Sequence, residues 1–294
     1  MLTQKQIKEW IPGLVNQFKA IMPPIGVSYP KIYIASYRTE IKLRNELIRK
    51  TGATVDPEIV PSTMEFFSGD KGTAILVYLE HLQTDPTRFR HDLWHELGHF
   101  YAISSESLPL HKLYSQKDES MSAVISEGYF LWMEFIAQSI AYYVEAHYEK
   151  VQAEDYVQEI KWWPIKEELE MRLGAFLMSN PDGLDIYCLA FYYAQLLMEA
   201  RTQAYIQNAL EHKLLTDKGN RITEVMSEDY DLTRINTVPK LYRNPLLKIW
   251  ELLYDHISEP QFWTIDEDLL HTLGLYINAL WNCWDALHTS EEDD

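Results

Sequence analysis

The chain has 294 residues, 47% hydrophobic and 13% aromatic. It can therefore build a sizeable core without staples, and global disorder is excluded. The balance of 26 Lys+Arg against 44 Asp+Glu gives a formal net charge of -18, which repels phosphate backbones and argues against a nucleic-acid partner. The 2 cysteines, Cys188 and Cys283, lie in apolar surroundings, which argues against a disulfide framework and a cysteine-ligated metal.

In chain order, residues 3–21 carry Ile7, Trp10, Ile11, Leu14, Val15 and Phe18 at helical spacing, and Met22-Pro23-Pro24 ends that helix. The segment from Lys31 to Ser36 is rich in β-branched and aromatic residues and reads as a strand. Thr39 to Thr51 reads as a helix, with Thr39 as N-cap and Gly52 as its stop. Thr63 to Phe67 and Thr73 to Leu79 read as two strands of a hairpin, joined by Ser68-Gly69-Asp70-Lys71-Gly72. Asp85-Pro86 starts a helix that runs to about Ile103. A polar loop follows from Ser104, and a long helix spans about Ser120 to Tyr148. Beyond it the pattern is helical throughout, punctuated by Pro164, Asn180-Pro181, Gly219-Asn220, Asn244-Pro245 and Glu259-Pro260, with an acidic tail from Ser290. The expected organisation is α+β and mostly helical: an α+β lobe over 1–150 and an all-helical lobe over 151–294.

The N-terminus lacks the apolar run of a signal peptide. The most apolar stretch, Gly128 to Ala146, is interrupted by Glu134, Gln138 and Glu145 and reads as a buried helix rather than a span. A cytoplasmic protein without a membrane partner is expected.

The chemistry concentrates in one helix. His95-Glu96-Leu97-Gly98-His99 is an HExxH motif, and residues four apart share a helical face, so both imidazoles reach one ion. Chance would produce the motif about 0.05 times in a chain of this composition. Zinc takes imidazole nitrogen at about 2.0–2.1 Å and lowers the pKa of its water to about 7. Glu96, beside the pair, is placed to take that proton as general base. A catalytic zinc needs a third protein ligand. Glu134 is the candidate, because a carboxylate flanked by Leu131, Trp132, Met133, Phe135, Ile136 and Ala137 demands a partner. The alternative is an exposed face shared by Glu134, Gln138 and Glu145. His91 cannot join His95 and His99 on one ion, since eight residues of helix span about 12 Å, and is expected to pair with a backbone group or a carboxylate. Asp92, near Glu96 on the helix surface, reads as favourable charge near a helix N-terminus, the alternative being a group that supports the metal ligands from behind.

HELGH followed 35 residues later by Glu134-Phe135-Ile136-Ala137-Gln138 resembles the gluzincin, or thermolysin-like, zinc metallopeptidases, over about Ala74 to Tyr148. The resemblance implies a zincin-like N-terminal lobe with a small sheet and an active-site helix, with the helical lobe forming the far wall of a cleft. It implies His95, His99 and Glu134 as zinc ligands and Glu96 as general base. The strand reading TAILVYL resembles the edge strand along which these enzymes align substrate. Gln138 stands where the family commonly has an acid that orients a ligand histidine from behind the metal. The family also supplies a Tyr or His for the oxyanion. Here Tyr187 and Tyr193 lead that search, ahead of Tyr142, Tyr143, His147, Tyr192 and His212, whereas Cys188 reads as core. The expectation is a zinc-dependent peptidase acting on a peptide or protein. The alternative is a zinc-binding regulatory or interaction protein on a peptidase-like scaffold with little or no hydrolytic activity.

Overall fold

A computed structural model describes residues 3–54, 63–82, 86–105, 119–149 and 267–288, and isolated positions from 244 to 264. The fold is mixed α+β and mostly helical, with a small three-stranded sheet. By density of internal packing the chain forms two compact units, Met1–Ser105 with Ile140–Glu149, and Glu106–Ser139 with Lys150–Asp294. The expected lobe boundary near residue 150, and Asp85, lie outside the described residues.

In the first unit, α1 (Gln4–Ile21) opens with a capping box: Thr3 Oγ1 accepts from Gln6 N–H, and Gln6 Oε1 accepts from Thr3 N–H. Met22 closes the helix with its N–H on the Phe18 carbonyl. Next come β1 (Lys31–Ala35) and α2 (Glu40–Thr51). Thr39 does stand at the N-cap, but its hydroxyl makes no capping bond. It accepts instead from Ser36 N–H at 3.0 Å, because a tight turn folds the two together. Gly52 ends α2 in the left-handed region at φ 74, where a side chain is strained.

The hairpin forms as expected, β2 (Met64–Gly69) antiparallel to β3 (Gly72–Tyr78), with Asp70 and Lys71 at its tip. The sheet order is β1-β3-β2, with β1 parallel to β3. This corrects the expectation that TAILVYL is an edge strand: β3 is the centre of the sheet. Its residues Ala74 to Tyr78 are all buried, the continuous apolar run of a strand covered on both faces. On one face Ala35, Phe67, Ala74, Leu76 and Tyr78 pack against Leu47, Leu43 and Ile48 of α2. Glu65 shares that face and is gripped in bidentate fashion by Arg44, with the Tyr78 hydroxyl donating to it at 2.6 Å. Burial and the Glu65 charge both push the Tyr78 phenol up, so it remains a donor.

The helix α3 (Pro86–Ser104) packs on β2 and against α1. An aromatic seam joins the helices: Trp10 meets Phe89, Phe18 meets Tyr101, and Trp94 Nε1 donates to the Leu14 carbonyl at 3.2 Å. Tyr101, pushed up to about 12 by burial, donates to the Pro23 carbonyl. The long helix α4 (Glu119–Glu149) is a single unbroken element, and its last ten residues belong to this unit.

In the second unit, the first part of α4 crosses α5 (Glu267–His288) at backbone contact. A Cβ on Gly128 would collide with the Leu270 carbonyl, and one on Gly274 with the Val124 carbonyl. No helix among the described residues is long and apolar enough to cross a membrane.

Candidate metal centre

Every backbone group in the middle of α3 is used by the helix itself, so its side chains alone differentiate its faces. One face carries His91, His95 and His99. His95 Nε2 and His99 Nε2 stand 3.1 Å apart, with the rings nearly perpendicular at 85°. Two ligands of a tetrahedral ion at about 2.0–2.1 Å stand about 3.4 Å from one another. The histidine pair thus already has the separation of two nitrogens on one ion. Glu134, on α4, completes the group: the ligand atoms of His95, His99 and Glu134 all lie within 4.8 Å of one another. Two imidazoles and one carboxylate form a three-ligand donor set suited to an ion with an open coordination position. The residues present therefore fit the group that the motif implies.

His99 is buried, and His95 and Glu134 are half-buried. The Phe66 ring of β2 lies parallel to the His99 imidazole, 7° between planes and 6.1 Å between centroids. Glu96, next to His95 in the chain, is half-buried, and the converging ligand atoms are those of His95, His99 and Glu134. Gln138 is buried one turn beyond Glu134 on α4, so the two share a helical face. The alternative of an exposed face for Glu134, Gln138 and Glu145 does not hold, because none of the three is exposed.

His91 takes a carboxylate, as its place on the helix suggested: His91 Nδ1 lies 3.2 Å from Glu145 Oε2. Asp92 corrects its expected role. It is buried, accepts the Thr63 hydroxyl at 2.9 Å and pairs with Arg88 at 2.8 Å. It is thus a tether between α3 and the start of β2 rather than a solvated helix-end charge.

Tyr187 and Tyr193 lie outside the described residues, as do Tyr192, His212 and Cys188. Tyr143 and His147 are described; His147 Nδ1 lies 2.7 Å from the Tyr143 carbonyl, a bond within its own helix. Phe66, Thr63 and Arg90 were not singled out by sequence, nor was Glu145 named as the partner of His91, because each acts through a residue distant in the chain that no spacing rule connects. Phe66 had one available signal, its place in a strand whose turn leads into the strand before the motif helix.

Compared with known proteins, the chain matches no family model, no curated protein and no solved structure.

Proposed function

We propose that this chain is a zinc-dependent metallopeptidase with a zincin-like catalytic lobe. The observation that carries the reading is the convergence of His95, His99 and Glu134, with Nε2 atoms 3.1 Å apart, and Glu96 follows His95 in the chain. The small sheet supports it too. β2, not β3, is the edge strand that borders the motif helix, with Phe66 against His99. An extended peptide can add to such an edge through main-chain hydrogen bonds, which hold a substrate without regard to its side chains.

His95, His99 and Glu134 would hold the ion. When bound, it supplies Lewis acidity that polarises the scissile carbonyl and lowers the pKa of water to about 7. Glu96 accepts a proton from water as the water oxygen bonds to the carbonyl carbon, then delivers it to the amine nitrogen as the peptide C–N bond breaks. Asp92 keeps β2 registered against α3 through Thr63, which fixes the edge strand relative to the histidines.

The test is digestion of a peptide library by the wild type and by Glu96→Gln, read by mass spectrometry. The wild type is expected to release fragments and Glu96→Gln to lose at least about 100-fold in rate while retaining its metal. Equal activity in both would remove Glu96 from the mechanism. The second reading, a zinc-binding regulatory or interaction protein, draws on buried, uncharged Gln138 in place of an acid. It predicts bound metal and no fragments from either protein.

A further inference from the structure

A buried polar cluster outside the metal centre lies on the same two helices. Glu145, near the end of α4, accepts from Arg90 Nη2 at 3.1 Å and lies 3.2 Å from His91 Nδ1. All three side chains are largely buried, at 16% exposure for Arg90, 9% for His91 and 12% for Glu145. The guanidinium of Arg90 sits 5.3 Å from the Trp94 ring and 5.1 Å from the Tyr148 ring, which themselves meet edge to face. Trp94 is anchored in turn to the Leu14 carbonyl of α1. This cluster is built from charge-assisted bonds and a guanidinium set over two aromatic rings, and it takes no part in the proposed chemistry.

Its place along the helices gives it a role. Glu134 and Glu145 are eleven residues apart, about three full turns, so they share a face of α4 with about 16 Å of rise between them. His91 precedes His95 and His99 by one and two turns on a shared face of α3. The contact at Glu145 therefore ties the last turns of α4 to α3, and Glu134 lies on the same unbroken helix.

We propose that Arg90, His91 and Glu145 form a register clamp that positions the third metal ligand. The three are positioning residues: none belongs to the ligand set, and their effect on the ion passes through the rigid rod of α4. The proposal rests on the metal-centre reading and is independent of peptidase activity.

The experiment titrates the metal-stripped, full-length protein with Co2+, reads the visible d–d absorption, and obtains the Zn2+ affinity by competition. The wild type is expected to take up one ion. Glu145→Gln is expected to bind at least about 10-fold more weakly, with a fainter d–d band as Glu134 disengages and water replaces it. Arg90→Lys, which keeps the charge but loses the planar guanidinium, is expected to fall between the two. A purely structural role would lower the unfolding midpoint of the metal-free protein and leave the affinity and spectrum of the folded protein unchanged; affinities within twofold of wild type would overturn the clamp. Should Glu145→Gln fail to fold, His91→Gln reads the same quantity with the Arg90–Glu145 pair intact, expected about threefold weaker, and an unchanged affinity there would overturn it equally. Failure of the wild type to bind Co2+ is a different result: it removes the metal centre itself.

Discussion

The histidine pair and the Glu145 cluster use the same residue types in opposite ways. His95 and His99 bring two ring nitrogens to 3.1 Å from one another, with the Glu134 carboxylate in the same group, a donor set suited to an ion. His91, one turn earlier, aims its nitrogen at a carboxylate and completes itself. Glu145 has a pH signature. Burial alone would raise its carboxyl, but the bonds and charges of His91 and Arg90 outweigh it and hold the pKa below the ordinary carboxylate value. A group with a depressed folded pKa stabilises the fold above its unfolded pKa and ceases to do so as pH falls through the folded value. Glu145→Gln should therefore cost about 3 kcal/mol near neutral pH, since Arg90 and His91 lose the carboxylate charge between them, and the gap to wild type should close progressively below about pH 4. Denaturant titrations from pH 7 to pH 3 measure this; a gap that stays constant with pH would show that the Glu145 charge is immaterial.

At the scale of elements, helices were the most legible part of the sequence. The apolar spacing in α1, the stop at Gly52 and the extent of α3 and α4 all match the expectation within a residue or two, because local periodicity and caps decide them. The hairpin was legible from its turn residues. The position of β3 at the centre was not, since an edge or a centre is fixed by which strands arrive on either side, and β1 pairs with β3 across forty residues. The HExxH pair lay open in the sequence because both ligands sit within two turns of one helix. Glu134 was legible through its apolar neighbours. Arg44 with Glu65, Thr63 with Asp92 and Phe66 with His99 were not, because each joins elements whose contact only the fold creates. The α4–α5 crossing belongs to this scale as well. Gly→Ala in a helix gains about 1 kcal/mol of intrinsic propensity. At Gly274 the added Cβ meets the Val124 carbonyl, a backbone atom that cannot swing aside. Gly274→Ala should thus destabilise by about 1–2 kcal/mol net, read by chemical denaturation, whereas stabilisation would mean that the helices do not cross so closely.

For the whole molecule, composition narrows the field without identifying the protein: a net charge of -18 disfavours binding to polyanions. What raises the chain above a generic α+β protein, among the described residues, is the convergence of three donor atoms from two helices. Metal binding by such a site draws on folding energy, so ligand number shows directly in how tightly an ion is kept. Elemental analysis of protein purified without added metal, with Glu134→Ala alongside, tests the central claim most directly. The account predicts about one zinc per wild-type chain and far less than one in the variant, because two imidazoles alone hold the ion weakly. Wild-type protein that carries no metal and takes up none on addition would contradict it.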